Sequence, residues 1–108
     1  MAHTPTFVYV LRPSRAAMLA EGMTPRKRDV VERHFDYLKE LNSAGIVVLA
    51  GRTLATDASA FGITLLAADS LDEARRLMEG DPAVAEGVMA AELYSFRVAL
   101  GGEVPPAS

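Results

Sequence analysis

The chain has 108 residues, half of them hydrophobic, and a net charge of −3. That is one ordinary domain with enough apolar side chains for a real core, and its acidic balance offers no basic excess for nucleic-acid phosphates. It contains no cysteine, which excludes disulfides, thiolate catalysis and Cys-type zinc sites and suits a reducing cytoplasm.

The first residues, Met1 to Pro5, lack a basic region followed by an apolar stretch, so no signal peptide is expected. Thr6 to Arg12 reads as the first strand. Phe7, Val8, Tyr9, Val10 and Leu11 form a near-continuous apolar run between Pro5 and Pro13, the pattern of a central strand covered on both faces. Ser14 to Met23 reads as a loop folding over a site. Thr24-Pro25 then opens a long helix, Thr as N-cap and Pro at the first helical position, running to about Ala44 with Gly45 beyond its end. At about 100° per residue, Val30, Val31, His34, Phe35, Leu38 and Leu41 share one arc.

Ile46 to Thr53 and Phe61 to Ala68 read as two strands of a hairpin, joined by a polar loop. Their apolar runs are far shorter than the roughly 20 residues that cross a membrane, so no membrane partner is expected. Ser70-Leu71-Asp72-Glu73 is a capping box that starts a second helix, which Gly80 stops. Asp81-Pro82 begins a short helical turn, and Val88 to Ala99 reads as the last strand. Gly101 to Ser108 is a Gly/Pro-rich tail, expected to be flexible. The chain is thus read as one domain, 1–108, with its core at about 6–98. The order β-α-β-β-α-β predicts an α+β, ferredoxin-like fold: a four-stranded antiparallel sheet with two helices on one face. The uncovered face predicts a homodimer, two sheets enclosing a barrel-like interior.

His34 is the most informative residue, because it lies mid-arc on the face that meets the sheet. Two readings are open: a partly buried, space-filling histidine, or a general acid/base tuned by a carboxylate. Asp36 points away on the helix, which leaves Asp81 as the partner. Asp before Pro is also a helix cap, and one carboxylate can do both. Arg52, after Ala50-Gly51 at a strand end, could hold an anionic group or simply be solvated; Arg12 and Arg15 have the same status. Tyr9 and Tyr94 could line a pocket or fill the core. Arg26-Lys27-Arg28 reads as a solvated helix start whose charges oppose the helix dipole. With only His3 and His34 and no ligand spacing, no metal or other cofactor is expected; there is no phosphate loop and no serine elbow.

Arg33-His34-(x)3-Leu38-(x)2-Leu41-(x)3-Gly45-(x)4-Ala50-Gly51 resembles the YciI-like, or YCII-related, proteins. So do Ser70-Leu71-Asp72-Glu73-Ala74 and Gly80-Asp81-Pro82-(x)4-Gly87-Val88. The resemblance runs from about Thr6 to Val98. It implies a dimeric α/β barrel of ferredoxin-like subunits and a His–Asp active site, which falls on His34 and Asp81. It also implies kinship with a dehydrochlorinase acting on a chlorinated hydroxyhydroquinone, in which the histidine is the acid/base. Arg52 stands here where many relatives have proline, and Ser95-Phe96 where Pro-Phe is frequent. Ala83 replaces a common aromatic, which would open space beside Asp81.

The expected function is that of a cofactor-free lyase or isomerase acting on a small polar or aromatic molecule. His34 and Asp81 would be catalytic, and Arg52, Tyr9 and Arg12 would contact the substrate. The alternatives are a non-catalytic ligand-binding or accessory dimer and a cofactor-free monooxygenase of the same barrel type.

Overall fold

The computed structural model describes residues 4–14, 24–57 and 59–105. Of the loop expected over the site, Ser14 to Met23, residues 15–23, Arg15 among them, lie outside the described residues. Strand β1 (Thr6–Pro13) is followed by helix α1 (Pro25–Ser43) and strands β2 (Val47–Arg52) and β3 (Gly62–Ala67). Helix α2 (Leu71–Glu79), the single turn α3 (Pro82–Ala85) and strand β4 (Met89–Phe96) complete the order. The four strands form one antiparallel sheet in the order β2-β3-β1-β4, so the split βαβ arrangement expected from the sequence is present.

Strand β1 alternates sharply between faces. Phe7, Tyr9 and Leu11 of β1 are buried, whereas Thr6, Val8 and Val10 are half-buried. Among the described residues the predicted double covering of β1 is therefore absent, because both long helices pack on the Tyr9 side. There Phe7, Tyr9, Leu11 and Leu66 meet Ala74 and Met78 of α2 in one apolar core. β4 is shorter than predicted. Its last residue, Phe96, pairs with Thr6, the first residue of β1, so the ladder has no partner strand beyond it. β2 carries a bulge between Val47 and Leu49, which leaves Val48 half exposed.

Helix α1 begins as its sequence requires: the Thr24 hydroxyl accepts from the Lys27 N–H, and Pro25 opens the first turn. It ends in a Schellman motif. Gly45 N–H donates to the Asn42 carbonyl at 3.1 Å and Ile46 N–H to the Leu41 carbonyl at 2.8 Å. Gly45 has φ of +79°, a conformation side chains disfavour. The buried stripe of α1 runs through Val30, His34, Tyr37, Leu38 and Leu41, and Phe35 is not part of it. Phe35 is 60% exposed and lies beneath the Lys39 ammonium, 5.6 Å from its ring centre. Tyr37 turns inward instead, donating its hydroxyl to the Leu77 carbonyl of α2 at 2.7 Å. At the start of α2 the capping box is offset by one residue. Ser70 accepts from Glu73 N–H, but the Glu73 carboxylate reaches Asp69 N–H rather than that of Ser70.

Candidate active site

Three elements converge on one carboxylate. Tyr9 stands mid-β1 and faces the helices. His34 lies mid-α1 on its inner stripe. Asp81 occupies the junction between α2 and α3, where Gly80 lets the chain turn closely past α1. A Cβ at Gly80 would lie 3.0 Å from the Tyr37 hydroxyl and 3.3 Å from the Arg76 carbonyl.

Asp81 has no exposed surface, and its two oxygens are surrounded by donors. Oδ1 accepts from Ala83 N–H at 2.9 Å, the helix cap expected of an Asp-Pro pair. Oδ2 accepts from the Tyr9 hydroxyl at 2.8 Å. His34 Nδ1 sits across both oxygens, at 2.7 and 2.8 Å. The cap and the imidazole contact thus coexist on one carboxylate. A carboxylate is an acceptor only, so in the neutral imidazole this arrangement places the proton on Nδ1 and the lone pair on Nε2. Nε2 takes no partner among the described residues, and the His34 side chain keeps 20% of its surface exposed. The pair therefore has a buried anionic end and an accessible basic end.

Burial, and then the negative charge of Asp81, push the Tyr9 phenol well above the ordinary tyrosine range. Tyr9 thus remains a hydrogen-bond donor. Burial and then Asp81 act in the same direction on Tyr37. Arg33, on α1 next to His34, binds Glu86 at the end of α3 at 2.5 Å and Asp29 at 3.0 Å. The hydrogen bond from Arg33 holds the exposed Glu86 carboxyl below its ordinary range. Arg26 donates to the Glu86 carbonyl at 3.2 Å, so one of the three cations that oppose the dipole of α1 instead serves the C-terminal end of α3. These contacts clamp α3, and with it Asp81, against α1.

The other expected contacts fall elsewhere. Tyr9 meets the pair from below, fully buried, and so does not line an open pocket. Arg12 projects from the opposite sheet face and stacks over Phe61, 5.3 Å from its ring centre. Arg52 ends edge strand β2, donates to the Thr53 carbonyl and lines a shallow groove with Leu49, Phe61 and Ile63. Within one chain neither arginine joins the pair. Tyr94 is half exposed, and its hydroxyl meets Glu92. The space expected beside Ala83 is filled: Ala83 is buried with Val30 and Val88. Among the described residues no three His, Cys, Asp or Glu side chains gather around a point that could hold a metal. The sequence reading did not single out Thr64, which is buried directly opposite Tyr9. A threonine within the apolar run Ile63 to Ala67 was the available signal.

Residues 6–97 match the family of the YCII-related domain, and the chain belongs to that family. Among solved structures, the fold is similar to that of 5-chloro-2-hydroxyhydroquinone dehydrochlorinase from Burkholderia phenoliruptrix AC1100, in complex with 2,5-dihydroxybenzoquinone. The TM-score is 0.62 and the identity 21%, covering 84% of this chain and 93% of that one. At that identity the likeness shows the fold alone. No curated protein matches.

Proposed function

We propose that this protein is a cofactor-free lyase or isomerase in which His34 moves a proton on a small polar or aromatic molecule. The observation that carries this reading is the His34–Asp81 contact at 2.7 Å, with Nδ1 bound and Nε2 accessible. A buried carboxylate that fixes the tautomer and stabilises the imidazolium is the arrangement by which histidine serves as a general base and then a general acid. Such a site needs no bound group to remove a proton beside a carbonyl or an activated ring carbon. The dehydrochlorinase neighbour supports hydroxylated rings and their quinones as the first compounds to try. Asp81 is the orienting residue in this reading, and Arg12 and Arg52 are left out of the catalytic centre. The absence of cysteine supports work in the cytoplasm.

The working unit in this reading is a homodimer joined through the open sheet face. That face carries the half-buried Val8, Val10 and Ile63, with Phe61, Tyr94 and Phe96 more exposed. It also carries Arg12 and Glu92 on the same strand pair. A two-fold axis passing between these two side chains would set Arg12 of one copy against Glu92 of the other, twice.

The test is a panel of chlorinated and unchlorinated hydroxyquinols and quinones incubated in heavy water. Carbon-bound deuterium uptake and halide release are the readouts. His34→Gln should lower the rate by about 10²–10⁴-fold while the protein stays folded. A turnover that His34→Gln leaves intact would remove the histidine from the chemistry.

A further inference from the structure

Helix α3 is a single turn, too short to hold itself in place. Its own hydrogen bonds make it one piece: Ala85 N–H donates to the Asp81 carbonyl at 2.8 Å, and Glu86 N–H to the Pro82 carbonyl at 3.0 Å. Both ends of that piece are tied to the same two parts of the fold. At the inner end, Asp81 meets Tyr9 of β1 and His34 of α1. At the outer end, Ser14, the residue after β1, donates its hydroxyl to the Gly87 carbonyl at 2.6 Å and its N–H to the Val88 carbonyl at 3.3 Å. From α1, Arg33 pairs with Glu86 Oε2 at 2.5 Å, and Arg26 donates to the Glu86 carbonyl at 3.2 Å. Asp29, one turn earlier on α1, steadies Arg33 at 3.0 Å. Arg33 and His34 are consecutive, so neighbouring side chains of α1 grip opposite ends of α3. Within α3 only Ala83 is buried, against Val30 and Val88. One methyl group buries little apolar surface, so the seating of α3 depends on the polar ties at its ends.

We infer that Glu86 is a positioning residue for the His34–Asp81 pair, with Arg33 as its partner: their ion pair at the outer end of α3 keeps the inner end seated, so that Asp81 stays on His34 Nδ1. Asp81 is shut away from water, whereas the Arg33–Glu86 pair lies at the surface. Salt screens exposed charges strongly and buried ones much less. The seating of Asp81 is therefore sensitive to ionic strength through a contact at the far end of α3. The importance of this contact for turnover rests on the reading of His34 as the working base. Its effect on the seating of Asp81 does not.

The test is proton exchange followed by NMR at low and high salt, in the native chain, Glu86→Gln, Arg33→Gln and the double variant. Two protons report on Asp81: the Ala83 N–H and, with the ring neutral, the His34 Nδ1–H. The amides of the central strands β1 and β3 report on the fold as a whole. At low salt Glu86→Gln should speed both reporter protons by roughly two- to five-fold relative to the sheet amides, the range for an exposed ion pair. Arg33→Gln should do the same. The double variant should go no further than the larger single effect, because the two residues make one contact. Raising the salt should speed both protons in the native chain and leave Glu86→Gln nearly unchanged. Reporter protons that exchange alike in the native chain and Glu86→Gln overturn the inference. So does a change shared equally by the sheet amides, a double variant well beyond either single one, or a native chain whose reporters ignore salt. Turnover by His34→Gln would sink the proposed chemistry without bearing on these exchange rates.

Discussion

At the scale of the residue, Asp81 carries the arrangement. It is buried, it caps α3, and it accepts from Tyr9, His34 and Ala83. Asp81→Ala would leave the Tyr9 hydroxyl and the Ala83 N–H without this partner. We expect it to cost about 3–5 kcal/mol in urea unfolding, the range for removing one member of a buried charged pair. His34→Gln removes an edge of the network rather than its centre and should cost less. Tyr9 makes a separate prediction at high pH. Its phenol is raised in the folded state by burial first and by Asp81 next, while the unfolded chain titrates near pH 10. Above that pH the unfolded state binds fewer protons than the native state, so stability falls as pH rises; below it the contribution is fully present. Tyr37 adds a slope of the same sign. Thermal unfolding followed from pH 8 to about 11 should therefore be less steep in Tyr9→Phe. The sequence made His34 and Asp81 legible because helical phase and an Asp-Pro pair are local signals. It did not reveal the role of Tyr9, since a strand aromatic looks the same whether its hydroxyl is idle or holds a carboxylate 72 residues away.

At the scale of the element, the decisive feature is the junction of α2 and α3. Gly80 ends α2 beside Tyr37 of α1, and the chain turns there into Asp81. Its φ is an ordinary −80°, so it is the space that calls for glycine here, not the backbone angle. Gly80→Ala would press a methyl on the Tyr37 hydroxyl, which is tied to the Leu77 carbonyl, and on the Arg76 carbonyl. We expect a loss of about 1–3 kcal/mol, as for other overpacked sites. Relaxing the contact with Gly80→Ala/Tyr37→Phe should restore part of it, read as a non-additive pair in urea unfolding. The helix boundaries were readable from Thr24-Pro25, Gly45 and Ser70 because caps are written in the chain. The exposure of Phe35 was not readable, because apolar phase alone gives the arc of a helix but not how far the neighbouring sheet extends along it. The end of β4 depended on where β1 begins, a long-range fact.

At the scale of the whole molecule, one sheet face is packed and the other is left open by the described residues. The alternation along β1 shows this directly: the residues that read as doubly covered in the sequence are covered once. For the proposed dimer we expect Arg12→Glu or Glu92→Arg alone to give monomers in sedimentation, through like charges across the axis. A mixture of the two variants should recover a heterodimer, because each then offers the other its complement. Two single variants that both remain dimeric would move the interface elsewhere.

The central claim is that chemistry occurs at His34 Nε2. The most direct test is a crystal structure of the protein soaked with 2,5-dihydroxybenzoquinone or the best binder from a panel of small phenols. We expect a ligand oxygen or reacting carbon within about 2.6–3.2 Å of Nε2, directly or through one water, with Nδ1 still on Asp81. A ligand that leaves His34 untouched and settles instead in the groove beside Arg52 would contradict it.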